Sequence, residues 1–169
     1  MCNIGKTSFL ALFVLSCASL NAVMVEYNAT SVSGNNWVYE YTVINNESFD
    51  IQSLSITFDT TEFTDLVISS SPDISAAWDE QLLNFTPGSE IYDVLAVGEN
   101  KIGVGESLSG FSVSFTYNGS DSPGNQFFEI YDPEDYTEPL ATGWTTPVPE
   151  PSTVLILAAG FFATRIKKR

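Results

Sequence analysis

A side-chain pattern that changes character at every second residue can be sorted into a dry face and a wet face only by an extended strand, and three stretches of this chain alternate in that way. Residues 37–44 put Trp37, Tyr39, Tyr41 and Val43 on one side and Val38, Glu40, Thr42 and Ile44 on the other. Residues 52–58 set Leu54, Ile56 and Phe58 against Ser53, Ser55 and Thr57. Residues 108–117 repeat the device with Phe111, Val113, Phe115 and Tyr117. Each reads as a half-buried strand of β-branched and aromatic residues.

Further strands are expected at 23–30, 65–70, 81–85, 91–97 and 126–131, separated by the turn signals Gly34-Asn35-Asn36, Asn45-Asn46, Pro87-Gly88, Asn118-Gly119 and Pro123-Gly124. Seven or eight short strands in about 125 residues are one domain's worth, and their spacing predicts an all-β fold, an antiparallel β-sandwich of immunoglobulin-like or jelly-roll-like kind. No helical periodicity of useful length occurs between the hydrophobic termini, and no internal repeat stands out. Composition shifts after Ser122, with prolines at 123, 133, 139, 147, 149 and 151. Residues 132–146 read as the exit of the domain and 147–151 as a stiff, extended spacer.

The chain contains no histidine, which removes the commonest general base, the commonest transition-metal ligand and every His-dependent triad. All 21 acidic residues fall between Glu26 and Glu150, where Lys101 is the sole basic residue, so that interval carries a net charge of −20. Such a surface is soluble and repels nucleic acid and anionic lipid.

The two ends carry a different message. Lys6, the apolar run 9–15 and the small residues up to Ala22 form the pattern of a secretory signal peptide over residues 1–22, cleaved after Ala22 or after Ala18. A second reading makes Cys17 the lipidated cysteine of a lipobox at Val14-Leu15-Ser16-Cys17. Cleavage after Ala22 removes both cysteines, Cys2 and Cys17, so the domain at 23–146 is expected to stand without disulfides. At the other end, Pro149-Glu150-Pro151 precedes the uncharged run 153–164 and then Arg165, Lys167, Lys168 and Arg169, the order that keeps a cationic end in the cytoplasm. A transmembrane helix over 152–166 spans roughly 22 Å at about 1.5 Å per residue. Snorkelling Lys and Arg side chains, or local thinning, make up the difference to a hydrocarbon core of roughly 30 Å.

This three-part tail, residues 147–169, resembles the PEP-CTERM sorting signal of exopolysaccharide-producing Gram-negative bacteria, with Pro149, Glu150 and Pro151 as the motif residues. The resemblance implies processing near the motif by an exosortase, a membrane transpeptidase-like enzyme, and then release or attachment at the cell surface. The alternative is an ordinary single-pass tail anchor. The segments Tyr39 to Asn45 and Gly105 to Phe115 are loosely similar to ectodomains found attached to such tails, which supports a sandwich and identifies no ligand.

Candidate chemistry is sparse. Asp132, Glu134, Asp135 and Glu138 supply enough oxygen donors for a calcium ion but lack the Asp-x-Asp-x-Asp-Gly spacing, so a solvated acidic loop is the competing reading. Among the three tryptophans, Trp37 is in phase with Tyr39 and Tyr41 and reads as packing, whereas Trp78, beside Asp79 and Glu80 in what reads as a polar connection, is the ligand candidate. Four Asn-x-Ser/Thr sequons, at Asn28, Asn46, Asn84 and Asn118, read as a by-product of Asn- and Thr-rich strands. The leading expectation is a non-enzymatic exported protein. The Sec translocon and signal peptidase, an exosortase, the membrane and extracellular polysaccharide are its partners, and no cofactor is expected. It is anchored in the inner membrane as a precursor, then placed at the envelope, cell surface or biofilm matrix in a structural or interaction role. A carbohydrate- or calcium-binding module is the alternative, and a secreted hydrolase with a buried carboxylate pair the third.

Overall fold

Gly34, held at φ 54°, and Asn35 close a two-residue hairpin between β1 (Val23–Ser33) and β2 (Asn36–Asn45), a left-handed position that favours glycine at a tight strand reversal. In the computed structural model, which describes residues 22–148, the chain continues through β3 (Ser53–Asp59), β4 (Phe63–Ile68), α1 (Pro72–Ala77), β5 (Trp78–Leu83), β6 (Ser89–Ala96), β7 (Ser107–Tyr117), β8 (Phe127–Ile130), β9 (Ala141–Trp144) and β10 (Thr146–Pro147). These strands form two five-stranded sheets, ordered β10-β1-β2-β7-β4 and β5-β6-β3-β8-β9. The expected sandwich is therefore present. Its one departure from antiparallel pairing is β10, which returns from the second sheet to lie parallel to β1.

The alternation in the sequence sets the register. Tyr27, Tyr41 and Phe111 lie side by side across β1, β2 and β7, and Ala29, Tyr39 and Val113 form the next inward row. Tyr39, Val43, Ile56, Phe58, Tyr92 and Val94 are fully buried. Between the sheets the rings of Tyr39, Phe63 and Phe115 meet at 4.8–6.2 Å, and Phe58 from the opposite sheet stands edge-on to Phe63 at 5.4 Å. The two sheets are also tied by polar groups. The Tyr39 hydroxyl donates to the Gly124 carbonyl (2.6 Å), and the buried Gln126 side chain accepts from Tyr41 (3.3 Å) and donates to Tyr39 (3.1 Å). A buried polar group without such partners costs about 1–3 kcal/mol, so this network is part of what fixes the stacking. Burial pushes the Tyr39, Tyr41 and Tyr92 phenols well above their ordinary range.

Several elements depart from the expectations. The fourth strand starts at Phe63, two residues early, and the fifth starts at Trp78, where a polar connection was expected. Helix α1 had no periodic signal because its six residues bury only Ile74. Ser71 caps it, with Pro72 in its first turn. The segment expected as an irregular exit contains β9 and ends in β10, strands of four and two residues that are too short to show alternation. Gly110, at φ 110°, is the extra residue that shifts the β2–β7 register between Tyr41 and Thr42, a bulge that interrupts the alternation before Phe111.

Candidate functional site

The tryptophans fall in places that sequence neighbours alone misassign. Trp78 is 3 % exposed and stands edge-on to Phe111 at 5.4 Å, so the polar residues beside it point elsewhere and its ring belongs to the core. It is therefore unavailable as a ligand platform. Trp37 is half-buried against the core, as its phase predicts. Trp144, which carried no expectation, is 60 % exposed.

The position of Trp144 follows from the pairing of the second sheet. Its outer face presents a continuous row of side chains across five strands: Leu83, Ile91, Thr57, Phe127 and Trp144. At about 4.8 Å per strand the row is roughly 19 Å long. Phe127 and Trp144 end it as an edge-to-face pair with ring centroids 5.5 Å apart. Gly143 lets β9 approach this closely, since a Cβ there would lie 2.8 Å from the Phe128 ring. Beside the aromatic pair opens a cleft of about 340 Å³, whose walls include Thr57, Asp59, Glu62 and Asn125. Its volume is within the range of small-molecule clefts, ~300–1,000 Å³. Asp59 accepts from the Thr61 backbone N–H (2.8 Å) and hydroxyl (2.7 Å), and those hydrogen bonds hold its carboxyl below the usual range. The adjacent row, Gln81, Asp93, Ser55, Glu129 and Thr142, is polar, with the Ser55 hydroxyl donating to Asp93 at 2.6 Å.

The acidic loop does not assemble a cation cage. Asp132 caps the Glu134 N–H (2.9 Å), and Asp135 accepts from the Thr137 N–H (3.0 Å) and hydroxyl (2.6 Å), so both carboxylates close their own turns. Those bonds to Thr137 hold the Asp135 carboxyl below its usual range. Among the described residues no three acidic side chains, Glu134 and Glu138 included, come close enough to share a metal ion. No Asp or Glu among them is buried. The four sequon asparagines are all exposed.

The C-terminal junction is tight. Thr146 pairs with Glu26 and Pro147 with Tyr27, and the Val148 N–H donates to the Tyr27 carbonyl at 2.9 Å. Residues 147 and 148, expected in a free spacer, are thus fastened to the edge of the first sheet. Pro149, Glu150, Pro151 and the basic end at Arg165, Lys167, Lys168 and Arg169 lie outside the described residues, as do the helix expected over 152–166 and residues 1–21. At the other end, Ala22 is exposed and Val23, buried, opens β1. Among the described residues no helix is long and apolar enough to cross a membrane.

The described sandwich thus runs directly into the segment that begins at Pro147. Residues 147–169 match the family model of the PEP-CTERM protein-sorting motif, so the resemblance of the tail to that signal is shown over those residues. The motif implies export, a membrane-anchored precursor and exosortase processing. No match to a curated protein was found. Among solved structures, the chain is similar to the chitin-binding domain of Chi18aC from Streptomyces coelicolor, at 23 % identity and a TM-score of 0.41 over 64 % of this chain and 90 % of that one. A cohesin module of a Clostridium perfringens family 33 glycoside hydrolase gives 11 % identity and a TM-score of 0.47, over 75 % of this chain and 97 % of that one. A CBM3 of Hungateiclostridium clariflavum gives 15 % and 0.40, over 59 % and 73 %. At these identities and TM-scores the likenesses assign this chain no role.

Proposed function

We propose that this protein is a non-catalytic exported module that the PEP-CTERM motif delivers, through an exosortase, to the cell surface or the extracellular polysaccharide matrix, where the sandwich serves a structural or interaction role. One observation carries the reading: the matched motif begins at Pro147, in the last strand of the sandwich, so a cut near Pro149–Pro151 delivers the whole two-sheet unit. Entry by the Sec translocon and cleavage by signal peptidase after Ala22 would start the mature chain at Val23, the first residue of β1. A binding role fits the groups beside the aromatic pair better than catalysis. A general acid needs a carboxyl raised toward neutrality, whereas hydrogen bonds from Thr61 pull Asp59 the opposite way.

The test is fractionation in an exosortase-bearing host and in the same host without that enzyme, for the wild type and for the Pro149→Ala/Pro151→Ala variant. The wild type should leave the inner membrane only where exosortase is present, and the variant should stay in both hosts. Equal release of both forms would refute sorting through the motif.

A further inference from the structure

We propose that the cleft beside Trp144 binds an uncharged pyranose unit of a polysaccharide chain, with a C–H face of the sugar on the Trp144 ring and its hydroxyls toward Asn125, Asp59 and Glu62. Three observations meet there. The last two strands of the sheet close the row with Phe127 and Trp144 paired edge to face, and 60 % of the tryptophan surface meets solvent beside the cleft. An aromatic ring offers apolar area at little cost in side-chain entropy, and the cleft at its edge supplies carboxylate acceptors and an amide, the groups that pair with hydroxyls. Charge then selects among glycans. With Asp59 and Glu62 on the wall and a net charge of −20 between Glu26 and Glu150, uronate-rich or sulfated chains are repelled, and uncharged ones are not. The row running from Trp144 across five strands extends the surface beyond the length of one sugar.

This inference rests on the export reading, because a matrix polysaccharide is met only outside the cell. The two fail separately, since sorting is read from location and binding from affinity. Full-length protein in a detergent without a sugar headgroup would be run through native gels containing hydroxyethylcellulose, laminarin, galactomannan or alginate, at low and high salt. At least one uncharged polymer should retard the protein at both salt concentrations, and alginate should not. Trp144→Ala should weaken the retardation constant about tenfold or more, equivalent to about 1.4 kcal/mol. Asn125→Ala should weaken it less, and Val67→Ala, an exposed change on β4 of the other sheet, should leave it unchanged. Acrylamide quenching of the exposed tryptophan should fall when the retarding polymer is added. Retardation by no uncharged polymer, or equal retardation of wild type and Trp144→Ala, would overturn the assignment. So would quenching that falls with protein concentration alone, which would mark the face as a contact between copies of the chain.

Discussion

Trp78 is buried although its sequence neighbours are polar, and Trp144 is exposed, because what decides exposure is the strand face and not the adjacent residue. Trp78 faces inward at the start of β5 and packs on Phe111, while Trp144 faces outward on the terminal strand of its sheet. Trp78→Ala should therefore cost about 3–5 kcal/mol in urea unfolding, as for other large-to-small core changes. Trp144→Ala should stay within roughly 0.5 kcal/mol of wild type, as expected for an exposed position. The buried tyrosines set an alkaline limit. Tyr39, Tyr41 and Tyr92 have folded pKa values raised above those of the unfolded chain, so their contribution is complete below about pH 10 and is lost as pH rises beyond it. Each removes about 1.4 kcal/mol per pH unit in that window, roughly 4 kcal/mol together. The share of tyrosinate absorbance owed to these three should rise together with loss of tertiary structure in one cooperative step above pH 10, whereas ionisation of all three before unfolding would show that their burial is incomplete.

At the scale of elements, legibility tracked length. β2, β3 and β7 run for 10, 7 and 11 residues, enough for the dry faces to declare themselves in sequence, whereas the expected wet face of β3 is covered, with Ser53 at 0 % and Ser55 at 8 % exposure. β9 and β10 offer only four and two residues and were hidden in a proline-rich stretch, and the exposed ring of Trp144 was hidden with them. Pro147 was no obstacle to a strand because β10 lies at a sheet edge, where a missing N–H costs nothing. The signal that existed for β9 is Gly143: its lack of a side chain is what allows the strand to lie against Phe128. Gly143→Ala should force that contact apart, at a cost of about 1–3 kcal/mol typical of overpacking, measured as a lower urea midpoint. Because β9 carries Trp144, the same variant should also broaden the environment of that ring in its fluorescence. An unchanged midpoint and emission would mean that β9 does not depend on the close approach.

For the whole molecule, export and fold were written in different parts of the chain and in different codes. The sandwich was legible as periodicity and the sorting signal as a tail motif, but the outer aromatic face depends on which strands become neighbours, which no local pattern states. Stability of the unit draws little on ion pairing. Lys101 to Asp50 is the one salt bridge among the described residues, it is solvent-exposed, and such pairs contribute about 0–1 kcal/mol. The remaining acids repel one another, so added sodium chloride should raise the thermal midpoint by screening them, and a midpoint that falls with salt would contradict this balance. The tie from Val148 to Tyr27 fastens the described chain to the sandwich up to its last residue, so the export reading proposed above has the sandwich and the sorting motif leave as one unit. The intact mass of the product recovered outside the inner membrane of an exosortase-bearing host tests that claim most directly. A chain that begins at Val23 and ends between Pro149 and Ser152, with β10 retained, is the predicted result. A product that keeps Arg169, or one that ends before Thr146, would contradict it.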